Sequence, residues 1–307
     1  MKILFIGGEK DNFIKLAKWV NNYTDHSAYI CEKNTDEIPE QAPISDPDIE
    51  IVTQNCAYME RNDELGMGIK SKPIRVLYLL GAPLRNRLGV GYMDWRIKTF
   101  TKYFASYTPL DAESYVYWSE YRKDFVRWFD AVLWLPYPDD VTGKDKAVIA
   151  PNKEFTVATA LSQRAMVGAY SKQTDLLIEA QRELKFKLDI IHSVSRDECW
   201  DRIKKAYLYF GNMNRGAVSV SEKEAMSFGI AAMSWIRDEE KQAYEKMGKD
   251  FPLINVTPET LKNTIKFYMD NPELCVSKGQ ECFNWMHNNY TPEKIANYWC
   301  DELKKLI

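Results

Sequence analysis

The sequence predicts an α/β protein made of two parallel-sheet domains, with helices on both faces of each sheet and a helical C-terminal tail. Short apolar runs alternate with amphipathic stretches along most of the 307 residues, the signature of strand–helix units. The apolar runs are continuous, as strands buried on both faces require. Between two such series lies "PDDVTGKDKAVIAPNKE" (138–154), which carries Pro, Gly and charge without periodicity and marks a domain boundary. The expected organisation is therefore 1–152, 153–290 and a closing helix over 291–307.

The elements follow in order. "KILFI" (2–6) reads as a strand and is followed by Gly7-Gly8. "NFIKLAKWVNNY" (12–23) has apolar residues at 13, 14, 16, 17, 19 and 20, which is helical spacing. "HSAYIC" (26–31) reads as a second strand. Residues 32–72 are polar, with Pro39, Pro43 and Pro47, and read as loop. "IRVLYLL" (74–80) and "AVLWLPY" (131–137) are strands, and the aromatic, charged stretch 92–130 reads mainly as helix. The second series runs strand 155–161, helix 174–184, strand 188–194, helix 196–206, strand 207–211, helix 219–228, strand 230–236, helix 237–247 and strand 252–256. The tail from 258 is almost all helix, and Thr257-Pro258-Glu259 and Thr291-Pro292-Glu293 each place a capping residue before proline at the first helical position.

Bulk properties narrow the function. Forty-one basic and 44 acidic residues give a formal net charge of −3, which offers no general attraction for nucleic acid or an anionic membrane. The six cysteines and three histidines form no C-x-x-C pair and no zinc-ligand spacing, so no metal site is expected and the thiols read as reduced core residues of a cytoplasmic protein. No run approaches the ~20 apolar residues of a membrane-spanning helix. "MKILFIGGEKDN" suits a first strand better than a signal sequence.

One segment combines several features of a ligand site. "GAVSVSEKEAMSFG" (216–229) follows a strand and opens a helix. Free N–H groups and the helix dipole at such a point attract phosphate oxygens. Gly216 allows close backbone approach, and Ser219 and Ser221 either cap the helix or donate to phosphate. Glu224 either sits as a capped helix-start carboxylate or accepts hydrogen bonds from a ribose diol.

This segment, with "IAAMSWI" after it, resembles the donor-nucleotide segment of GT-B fold glycosyltransferases, especially the retaining family 4 enzymes (glycosyl transferases group 1). The match rests on Glu224-Ala225-Met226, Gly229 and the leading Gly216. "ALSQRAMVGAYSKQTDLLIEAQREL" (160–184), "LDIIHSVSRDECWDRIKKAYLYFGNM" (188–213) and the closing helices (275–303) are similar to family segments in the same order, so the resemblance covers most of 155–307. "YLLGAPLRN" (78–86) resembles a degenerate form of the family's His-Gly-x-x-x-Arg segment. The chain is short and divergent for this family.

The resemblance implies two Rossmann-like domains facing a cleft, with the last helix returning to the N-terminal domain. It implies a nucleoside-diphosphate sugar (UDP or GDP) as donor substrate, with no tightly bound cofactor and no metal. Arg164 and Lys172, together with Gly216, Ser219 and Ser221, would meet the donor diphosphate. Glu224 would hold the ribose, and His192, Ser193 and Val194 would lie near the base. Gly7, Gly8, Gly81 and Arg85 would line the acceptor side or cleft. Simpler readings stay open: Arg164 and Lys172 as solvated loop charges, His192 as a packing or capping residue, Gly7-Gly8 as a tight turn. No catalytic residue is assigned. The chain departs from the family where Gly216 stands in place of the first Glu, Ser219 in place of a loop glycine, and Leu80 where a cleft histidine is usual. The expected activity is sugar transfer with retention to an unknown acceptor. The alternatives are a catalytically silent nucleotide-sugar-binding or partner-binding protein, a sugar-nucleotide epimerase, and a glycosyltransferase of modified nucleic-acid bases.

Overall fold

A computed structural model describes residues 1–6, 10–31, 47–53, 74–79, 103–106, 131–138, 146–147, 154–161, 174–213 and 216–307. The chain divides into two compact units, one of Met1–Asp139 with Pro292–Ile307 and one of Asp140–Thr291.

The first unit contains β1 (Lys2–Ile6), α1 (Lys10–Tyr23), β2 (Ser27–Cys31), β3 (Ile49–Thr53), β4 (Ile74–Leu79), β5 (Tyr103–Ser106) and β6 (Ala131–Trp134). All pairings are parallel, in the order β2-β1-β3-β4-β5-β6. Ile3, Leu4 and Phe5 are buried in succession, so the sheet is covered on both faces. Phe13, Leu16, Ala17 and Val20 form the buried stripe of α1, at the spacing of one helix face.

Two strands were not legible in the sequence. β3 lies within the stretch read as loop, and β5 lies within the stretch read as helix. Each is short, β3 carries Glu50 as its second residue, and both are defined by ladders to strands distant in sequence, such as Ile3↔Ile49 and Val76↔Tyr103.

The second unit contains β7 (Thr156–Ala160), α2 (Thr174–Leu184), β8 (Lys187–Ile191), α3 (Arg196–Ile203), β9 (Leu208–Phe210), α4 (Val220–Ser227), β10 (Ala231–Ser234), α5 (Asp238–Glu245), β11 (Ile254–Asn255), α6 (Pro258–Asp270) and α7 (Pro272–Asn289). Its parallel order is β11-β10-β9-β7-β8. Counted from the first strand of each unit, both sheets have the order 2-1-3-4-5, and the first adds a sixth strand. The strand expected over 188–194 ends at Ile191, because Ser193 adopts a left-handed φ of 53° that an extended strand excludes. α4 is closed by Phe228 and then Gly229, whose φ of 77° is the left-handed conformation that follows a helix C-terminus.

The closing helix, Pro292–Lys304, belongs to the first unit. Trp299 is fully buried there, its indole N–H donating to Pro136 O at 2.8 Å and its ring 6.1 Å from that of Phe5. Burying such a side chain stabilises by roughly 3 kcal/mol.

Candidate functional site

In the second sheet β7 lies between β8 and β9. The chain thus switches sides at the carboxyl ends of β7 and β9, where open α/β sheets bind ligands. Tyr209 of β9 ties this edge together. Its hydroxyl accepts from Ala160 N at 3.2 Å and shares a hydrogen bond with Ser221. Burial, then the nearby Glu222 charge, raise the phenol well above its usual range, so it acts as a neutral strut.

The segment from Gly216 to α4 stands over this edge. Gly216 has φ +60°, and a Cβ there would lie 2.4 Å from Arg237 Cγ. The carbonyl of Gly216 accepts from Arg237 N at 3.1 Å and from Arg237 Nε at 3.3 Å. Backbone conformation and the packing of Arg237 therefore both demand glycine here. Ser219 is the N-cap. Its N–H donates to Glu222 Oε2 at 2.7 Å, and its hydroxyl donates to the same oxygen. Ser219 and Ser221 hydroxyls lie 3.0 Å apart.

Glu222 is fully buried, and its Oε1 also accepts from Asn212 Nδ2 at 3.3 Å and from Ser234 Oγ at 2.9 Å. It thus binds the ends of β9 and β10 to the start of α4. Gly211 leaves the room, since a Cβ there would overlap the Glu222 carboxylate at 1.9 Å. Val218 N–H donates to Glu240 Oε1 at 3.4 Å. Burial pushes the Glu240 carboxyl up to about 8, against the opposing attraction of Arg237. Lys223 is buried too, donating to Tyr290 Oη at 3.1 Å. Two of the N–H groups at this helix start, those of Val218 and Ser219, are therefore held by the protein's own carboxylates. Val220, the first helical residue, is exposed, and its N–H has no partner among the described residues.

Glu224 differs from these interior charges. Its side chain is 8% exposed, and Oε1 accepts from Arg196 Nη2 at 2.7 Å and Nε at 3.2 Å. Oε2 has no partner among the described residues. Arg196 opens α3, directly after the loop of His192, Ser193, Val194 and Ser195. Its guanidinium lies 4.7 Å from the Trp200 ring centroid, and Trp200 packs edge-on against Phe228 at 5.7 Å. Sequence reasoning missed Arg196. One signal was available: a cation at the first position of a helix works against the dipole, so it calls for an external anion.

The structure thus brings together Gly216, Ser219, Ser221 and Glu224 on one segment, and joins Glu224 to the helix that follows His192–Val194. His192 and Ser193 are exposed and Val194 is half-buried. Arg164, Lys172, Gly7, Gly8, Gly81 and Arg85 lie outside the described residues. Among the described residues no cluster of His, Cys, Asp and Glu could hold a metal ion, and no helix is long and apolar enough to cross a membrane.

No protein-family model matches the chain, and no curated protein matches it by sequence. Solved structures do match it. HepE of Anabaena, crystallised in complex with UDP, is 11% identical with a TM-score of 0.56, over 99% of this chain and 100% of that one. The sucrose-phosphate synthase of Thermosynechococcus elongatus is 10% identical with a TM-score of 0.56, over 100% and 99%. A glycosyltransferase of Rickettsia africae is 11% identical with a TM-score of 0.58, over 99% and 98%. The chain has the GT-B fold. At these identities the GT-B likeness is one of architecture: two parallel-sheet units and a helical tail.

Proposed function

We propose that the chain is a glycosyltransferase that moves a sugar from a nucleoside-diphosphate sugar to an acceptor. The donor binds the unit of Asp140–Thr291, at the carboxyl ends of β7 and β9, and the acceptor binds the N-terminal unit. The observation that carries this reading is Glu224: a carboxylate on the switch-point helix, with one oxygen held by Arg196 and the other without a partner among the described residues. A carboxylate only accepts hydrogen bonds, and a ribose diol donates them.

Around that contact the roles follow from charge. The N–H of Val220 and the hydroxyl of Ser221 meet the diphosphate, with Arg164 and Lys172 as its cations. His192–Val194 border the base. A departing nucleoside diphosphate gains negative charge, and cations placed on it lower the barrier without a metal. Transfer proceeds with retention. The neighbouring HepE was crystallised with UDP, and another HepE structure with UDP and glucose, which supports UDP as the first donor nucleotide to test.

Calorimetry with UDP, GDP and their sugars tests the reading. At least one nucleotide binds wild type, and Glu224→Ala weakens it about tenfold or more. Equal binding by both proteins removes Glu224 from the site. Release of free nucleoside diphosphate from the sugar donor separates turnover from silent binding.

A further inference from the structure

We propose that Arg196 is the positioning residue of the ribose contact, and that through Glu224 it makes the site selective for nucleotides carrying a ribose 2′-hydroxyl. The inference rests on the nucleotide-sugar reading and deepens it.

Three contacts among those described bear on the Arg196 guanidinium. Nη2 and Nε both donate to Glu224 Oε1, at 2.7 and 3.2 Å. Its central carbon, Cζ, lies over the Trp200 ring, 4.7 Å from the centroid. Trp200 is itself fixed by Phe228, the residue at the end of the helix that carries Glu224. The pair therefore bridges the first residue of α3 and the middle of α4, 28 residues apart in sequence.

The consequence is geometric. Glu224 is nearly buried, and a buried carboxylate without a cation is costly. Arg196 supplies that charge but engages a single oxygen. The carboxylate is thereby held in one orientation, with Oε1 committed and Oε2 left for a hydroxyl donor. A polar group pre-set to receive a substrate hydroxyl discriminates against the analogue lacking it, because the group is then left unpaired. Without Arg196 the carboxylate would turn toward any available donor and lose that selectivity. Lysine keeps the charge but not the flat stacking face, so it restores the function in part.

The test compares UDP with 2′-deoxy-UDP, and GDP with 2′-deoxy-GDP, on wild type, Arg196→Ala, Arg196→Lys and Glu224→Gln. Thermal melting of each variant confirms folding. Wild type should prefer the ribonucleotide about tenfold or more. Arg196→Ala should lose most of that preference by weakening the ribonucleotide alone, and Arg196→Lys should recover part of it. Arg196→Ala that keeps the wild-type ratio, or that binds the ribonucleotide more tightly, overturns the inference. Glu224→Gln distinguishes the two levels. If it weakens ribonucleotide binding while Arg196→Ala changes nothing, the positioning role alone fails. If no nucleotide binds wild type, the donor-site reading fails and takes the inference with it.

Discussion

Two helices that open on the carboxyl edge of the second sheet, α3 and α4, begin in different surroundings. α3 starts in solvent: Ser195 accepts from Glu198 N at 3.2 Å, and Asp197 and Glu198 fill its first turn. α4 starts at the surface with Val220 exposed, but its cap is completed from the interior by a fully buried Glu222, beside buried Glu240, Arg237 and Lys223. The capping chemistry is similar, but its consequences differ. In water a lost cap is replaced by solvent. In the interior each freed donor stays unpaired and costs the full desolvation of the group. The exposed helix therefore tolerates change at its start. The buried one ties its start to two strand ends.

Replacing the buried cap breaks this contrast most strongly. Glu222→Ala removes the carboxylate that accepts from Ser219 N–H, Asn212 Nδ2 and Ser234 Oγ, leaving Asn212 Nδ2 with Ala217 O and Ser234 Oγ with Asn212 O, and should destabilise by roughly 3–5 kcal/mol, read as a shift of the urea midpoint followed by tryptophan fluorescence.

Glu240 gives a pH-dependent version. Its carboxyl is pushed up to about 8 from 4.5 by burial, with Arg237, Lys223 and Glu222 as the neighbouring charges and Val218 N–H as its donor. Between these values the unfolded chain releases a proton that the folded chain keeps, so stability falls as pH rises. Glu240→Gln should remove that fall. The variant's melting temperature gains on wild type from pH 4.5 upward and levels off above about 8. A difference that does not vary with pH would show that Glu240 does not titrate in the folded protein.

The smallest effect belongs to the exposed helix. Ser195→Ala should cost about 1 kcal/mol, with no change in the alkaline behaviour attributed to Glu240.

Much of the fold was legible in the sequence. α2 has the expected span, Thr174–Leu184, because both its ends and its apolar period are local. Thr257 caps α6 with Pro258 at its first position, as the tripeptide indicates. β3 and β5 were not legible, since four or five residues carry too little period and their pairing lies far along the chain. At the candidate site, the segment of Gly216 to Glu224 stood out by residue type. The division of labour within it did not. Glu222 and Glu224 are two residues apart on one helix, about 200° around its axis. Nothing in their type shows that one is enclosed by Asn212, Ser219 and Ser234 while the other faces Arg196.

The sequence alone determined the α/β alternation, the helical period of α1 and the helix boundaries set by caps and proline, because these depend on residues a few positions apart. Tertiary structure alone decided the strand order, the burial of four charges around the start of α4, and the pairing of Arg196 with Glu224. Those depend on which surfaces meet once the sheet has formed, and on the low dielectric they create where they meet.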